Sequence, residues 1–125
     1  MTRTGRPDFH AFLTRLPYEL AFSQEDPATI VDRYYTPDLE YRNDGITLDR
    51  QRLIDHAGPA RKNSLELDIQ VHETVLDGDR AAARYTMTVR TRKDKTLQIE
   101  VYLFAQLAPD GRVHRVNSIT RTANP

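Results

Sequence analysis

Six tyrosines, four histidines and the adjacent pair Asn43-Asp44 are the residues of this sequence best suited to hold an oxygen atom or move a proton. A phenol offers one hydroxyl on an otherwise apolar ring, and an imidazole titrates near neutrality, so both suit acid–base work on a small organic molecule. The histidines stand at 10, 56, 72 and 114, and none has the HxH or HExxH spacing that brings two imidazoles onto one metal. No metal site is expected. His56, next to Asp55, is a candidate general acid or base, whereas His10 and His72 fall on polar faces and His114 at the start of a strand. There is no nucleophile-elbow serine and no glycine-rich phosphate loop. Serine hydrolase, kinase and nucleotide-binding functions are set aside, and no cofactor is expected.

Charge and composition exclude further classes. Eighteen basic residues balance eighteen acidic ones, so no net field draws nucleic acid or anionic lipid. With 38% hydrophobic and 29% charged residues in 125, the chain is expected to form one domain, 1–125, with a core and a small cavity. It has no cysteine, no signal-peptide-like start and no apolar run long enough to span a bilayer. A cytoplasmic protein without nucleic acid or membrane partners is expected.

The elements that must position these side chains follow from periodicity. Phe9, Phe12, Leu13, Leu16 and Leu20 recur at helical spacing after a capping Asp8, with Pro17 expected to kink the helix and re-aim Tyr18. Asp26-Pro27 starts a second helix through Ile30, Val31, Tyr34 and Tyr35, which Thr36-Pro37 stops. "LEYRN" reads as a strand with Leu39, Tyr41 and Asn43 on one face, closed by a turn at Asp44-Gly45. Asp49 caps a third helix, and Gly58-Pro59 is expected to break or bend it. From Leu65 the period becomes two. Strands follow in a meander, with turns at 76–80, "RKDK" and Pro109-Asp110-Gly111. The fold class is α+β, helices across one side of a curved antiparallel sheet.

The order of elements, with "YTPD" ending the second helix, the "DGDRAAARY" hairpin and "APDGRV" before the last strand, resembles the SnoaL-like branch of the nuclear transport factor 2 superfamily. The resemblance covers nearly the whole chain. It implies a cone-shaped fold whose mouth admits a small hydrophobic molecule, with ketosteroid isomerases, polyketide cyclases, dehydratases and epoxide hydrolases among its members. The isomerase pattern uses a first-helix tyrosine, a proton-shuttling aspartate and a second aspartate. Here these fall on Tyr18, Asn43 and Leu103, so one of the three is kept.

The candidate catalytic residues are therefore Tyr18 as hydrogen-bond donor, with Asp44 or His56 as proton acceptor. Asp44 has the competing reading of a plain turn residue. The expected ligand-lining set is Phe22, Tyr34, Tyr41, Asn43, Tyr85, Met87, Val101, Leu103, Val116 and Ser118. Two functions are open: proton transfer on a carbonyl or polyketide-like compound by an isomerase, cyclase or dehydratase, and non-catalytic binding of such a molecule. Tyr102 and Phe104 on the outer sheet face add the expectation of a homodimer.

Overall fold

In the computed structural model, residues 8–123 are described. Three helices, α1 (Phe9–Phe22), α2 (Pro27–Tyr34) and α3 (Arg50–Asn63), accompany six strands. The strands are β1 (Tyr35–Asn43), β2 (Ile46–Leu48), β3 (Ser64–Asp77), β4 (Arg80–Thr91), β5 (Thr96–Leu107) and β6 (Val113–Thr122). They form one curved, unclosed sheet in the order β2-β1-β6-β5-β4-β3.

An aspartate starts each helix. Asp8 accepts from the Ala11 amide, Asp26 from Ala28 and Asp49 from Arg52, each satisfying an amide that has no partner inside its helix. Pro17 lies inside α1, which remains one helix. Of the break or bend expected at Gly58-Pro59, the break does not occur: α3 continues through Pro59 to Asn63. A proline costs the helix one amide and one close carbonyl contact. Here the Arg61 side chain anchors the far turn, donating to the Leu20 and Glu25 carbonyls.

The sheet differs from the expected antiparallel meander at one seam: β1 runs parallel to β6, while every other pair is antiparallel. Alternation marks which face a residue takes but is silent on the direction of its neighbour. The seam is also interrupted, for Tyr35 pairs with Val113 and the next match is Glu40 with Arg115. Pro37 lies inside this bulge, where the ladder does not require its missing amide.

One face of the sheet and the helices share the core. Phe9, Phe12, Leu13 and Leu16 of α1 and Ile30, Val31 and Tyr34 of α2 cluster with Tyr35, Tyr85, Val101, Leu103 and Val116 of the strands. β3 runs longer than the turn expected at 76–80 suggested, and its end leaves Val75 and Leu76 exposed.

Candidate functional site: a tyrosine-lined inner wall

Cross-strand register builds the wall row by row. Asn43, Ser118, Leu103 and Ala83 are successive partners across β1, β6, β5 and β4. Tyr41, Val116, Ala105 and Ala81 form the row on one side. Thr120, Val101, Tyr85 and Val71 form the row on the other. The strands place apolar and small side chains inward at most positions, so the few polar atoms left there stand out.

Those polar atoms belong to Tyr35, Tyr41, Tyr85, Asn43, Ser118 and Thr120, the last engaged by Asp44. The Tyr35 and Tyr41 rings lie 6.1 Å apart at a tilt of 57°, and Phe12 meets Tyr35 edge-on at 5.5 Å. Burial pushes the Tyr35 phenol well above its ordinary range, with Tyr41 and Tyr85 adding to the shift. Burial likewise raises Tyr85, with a contribution from Tyr41, and raises Tyr41 against a partial offset from Ser118. All three phenols are therefore neutral donors at physiological pH. The Ser118 hydroxyl, itself buried, donates to Asn43 Oδ1 at 2.8 Å. Neither the Tyr35 nor the Tyr85 hydroxyl makes a hydrogen bond with another described residue. Among the described residues the buried side-chain oxygen without a partner is Thr36 Oγ1. The Tyr35 and Tyr85 hydroxyls, which no described residue engages, lie on an apolar wall and suit an oxygen acceptor brought by a ligand.

Other residues expected at the site take different places. Tyr18 is 54% exposed, its ring 4.9 Å from that of the half-buried Phe22. The helix bearing it turns it outward, contrary to the inward aim expected from a kink at Pro17. Tyr34 is buried, but its hydroxyl donates to the Glu19 carboxylate at 3.0 Å, and Arg33 binds the same carboxylate at 2.8 Å. Burial and then Glu19 push that phenol up to about 12. Tyr34 thus joins α2 to α1 and not to the tyrosine wall. Met87 is partly covered, between Ile69 and Ile99 of the neighbouring strands.

Asp44 has a left-handed backbone, φ 52°, and lies exposed beyond the wall. Its carboxylate accepts from the Thr120 hydroxyl at 2.5 Å and the Thr120 amide at 2.9 Å. Those two bonds hold it below the usual carboxylate range. Its own amide donates to the Ser118 carbonyl at 2.9 Å, so Asp44 carries the β1–β6 seam around the turn. His56 is exposed on α3. No hydrogen bond, ion pair or ring contact joins Tyr18, Asp44 and His56 to one another. His114 pairs with Asp38 at 3.3 Å in the β1 bulge, and His72 with Thr86 at 2.7 Å on the outer face.

Sequence reading counted Tyr35 among the aromatic residues of the presumed cavity but left it out of the ligand-lining set. The second helix was expected to run through Tyr35 to a stop at Thr36-Pro37; it ends at Tyr34, and Tyr35, Thr36 and Pro37 open β1, which starts ahead of the expected Leu39 and brings Tyr35 to the wall. No group of metal-ligating side chains occurs among the described residues.

The comparisons with known proteins agree with this architecture. The model of the SnoaL-like domain family matches residues 15–116. No curated protein matches the sequence. Among solved structures, the chain superposes on AclR, a candidate hydroxylase from Streptomyces galilaeus, with TM-score 0.67 at 14% identity, covering 86% of this chain and 75% of that one. A candidate SnoaL-like polyketide cyclase from Shewanella denitrificans gives TM-score 0.65 at 13% identity, over 85% of each chain. A protein of ketosteroid isomerase-like fold from Catenulispora acidiphila, solved with trimethylamine, gives 0.63 at 7% identity, over 92% of this chain and 86% of that one. At such identities a shared fold is what the superpositions establish. With a family match over most of its length and the curved sheet and helices to go with it, this chain belongs to the SnoaL-like domain family and has the nuclear transport factor 2-like fold.

Proposed function

We propose that the protein binds a small, largely apolar molecule carrying a carbonyl or similar acceptor oxygen, held against the inner wall by the phenols of Tyr35, Tyr41 and Tyr85. One observation carries this reading: the Tyr35 and Tyr85 hydroxyls are unpaired among the described residues in otherwise apolar surroundings. The polyketide cyclase and hydroxylase named among the structural neighbours are in keeping with a carbonyl-bearing ligand.

Between binding and catalysis, the geometry favours binding. Where the isomerase pattern has its proton-shuttling aspartate, this chain has Asn43, and the Asn43 oxygen already accepts from Ser118. An amide does not act as a base at neutral pH. The candidate acceptors Asp44 and His56 are exposed, and Asp44 is engaged by Thr120. A proton-transfer enzyme with Tyr18 as donor is the competing proposal, and a ligand recovered chemically changed would support it.

Two further features belong to the same proposal. Tyr102, Phe104 and Ile119 are 47%, 71% and 64% exposed on the outer sheet face. Ion pairs Arg84–Glu73 and Arg121–Glu100 flank them. An apolar centre with a charged rim suits a partner of the same kind, and we assign this face to a homodimer. No helix of the described residues is long and apolar enough to cross a membrane. A cytoplasmic location rests on the cysteine-free composition.

Titration with a neutral aromatic ketone such as 1-tetralone, followed by tyrosine emission, tests the binding reading. Saturation below the millimolar range is expected; an emission unchanged to the solubility limit of the ketone contradicts it.

A further inference from the structure

The inner wall holds a donor besides its phenols, and a neighbouring hydroxyl sets its direction. Asn43 and Ser118 are direct cross-strand partners on β1 and β6, in the row that continues to Leu103 and Ala83. Ser118 is 3% exposed, and its one proton goes to Asn43 Oδ1 at 2.8 Å. The other polar group that Ser118 acts on is the Tyr41 phenol, which burial keeps protonated. A buried hydroxyl proton without an acceptor is costly, so the carboxamide oxygen is held toward Ser118. The carboxamide nitrogen then points the other way.

That nitrogen donates to no described residue. It is not enclosed either, for the buried unpaired side-chain atom among the described residues is Thr36 Oγ1. Two N–H groups therefore stand open on the β1 side of the wall, and a carboxamide nitrogen donates without accepting. Tyr41 lies between them and the other phenols, because it raises both Tyr35 and Tyr85 and is itself acted on by Ser118. β1 and β4, which carry Asn43 and Tyr85, are three strand intervals apart, roughly 14 Å. One acceptor oxygen does not serve donors on both sides of such a span.

Resting on the inner wall as the binding site, we propose that Asn43 Nδ2 is a second ligand donor, that Ser118 is the residue positioning it, and that the ligand is a neutral apolar molecule with acceptor oxygens at two ends. The phenols take one oxygen and the carboxamide takes the other.

Calorimetric titration of the full chain with 1,4-diacetylbenzene and with 4-isopropylacetophenone tests this, since the two share one shape and differ in the second carbonyl oxygen. Wild type should bind the diketone about fivefold more tightly, the size of one added hydrogen bond. In Asn43→Asp at pH 8, where the carboxylate still accepts from Ser118 but has no proton to donate, the preference should vanish or reverse. Ser118→Ala should reduce it, because the carboxamide is free to turn, and Ser118→Thr, which keeps the hydroxyl, should retain it. The ratio of affinities is read within each protein, so a general loss of stability does not imitate the effect. Equal affinities in wild type, or a ratio unchanged in Asn43→Asp or Ser118→Ala, would overturn the second donor and leave the phenols in place. Binding of neither ketone would overturn both.

Discussion

The Ser118 hydroxyl reaches the Asn43 side-chain oxygen across 2.8 Å, joining the end of β1 to the middle of β6, two strands that lie far apart in sequence and run parallel. On the proposed reading, this contact puts a neutral hydrogen bond where the isomerase pattern has its proton-shuttling aspartate.

Removing the donor should therefore be a matter of stability first. Ser118→Ala leaves the part-buried Asn43 oxygen without its partner, which costs about 1 kcal/mol for a group of this kind. Chemical denaturation should show that loss with an unchanged denaturant slope. A variant as stable as wild type would mean that the bond contributes nothing to the seam.

Asp44 predicts a pH dependence. Its carboxyl is held below the usual range by the Thr120 hydroxyl and amide, so the folded state favours the charged form. That contribution is present above the unfolded carboxyl value of about 4 and is lost as pH falls through the lower folded value. Asp44→Asn tolerates the left-handed backbone and removes the titration. The variant should melt below wild type at pH 7, and the two should converge near pH 3. A constant gap across that range would show that the carboxylate charge is not what matters.

The buried phenols predict the opposite limb. Tyr34, Tyr35, Tyr41 and Tyr85 are all raised above the ordinary phenol value near 10. Their stabilising effect is fully present below that value and is lost as pH rises, for Tyr34 toward about 12. Absorbance titration at the phenolate band should show these four ionising only with alkaline unfolding. Four reversible ionisations near pH 10 in the folded protein would contradict the burial of the wall.

How much of this the sequence disclosed differs by level. The three Asp caps, the strand faces and the α+β class were legible, because capping and alternation are local. The parallel β1–β6 seam was not, since strand direction depends on a partner some 75 residues away. Tyr18 illustrates the same limit at the site: its place on α1 was clear, but an outward or inward aim depends on how α1 rests on the sheet. Asp44 was fairly read as a turn residue, and only the folded chain shows that the turn also clamps Thr120.

The outer face predicts an assembly. If Tyr102, Phe104 and Ile119 meet a second copy, sedimentation at micromolar concentration should give a dimer. Phe104→Lys should yield a monomer that remains folded, because the side chain is exposed in the single chain. A monomeric wild type would remove the dimer.

The affinity of Tyr85→Phe for 1-tetralone tests the central claim most directly. The ring still fills its place and only the hydroxyl is lost. If that hydroxyl donates to the ligand, binding should weaken by about 1–2 kcal/mol, roughly 5- to 30-fold, while the melting temperature stays within a degree or two. Wild-type affinity in Tyr85→Phe, particularly with a lower melting temperature, would make the tyrosines part of the core alone and contradict the assignment of the inner wall as the binding site.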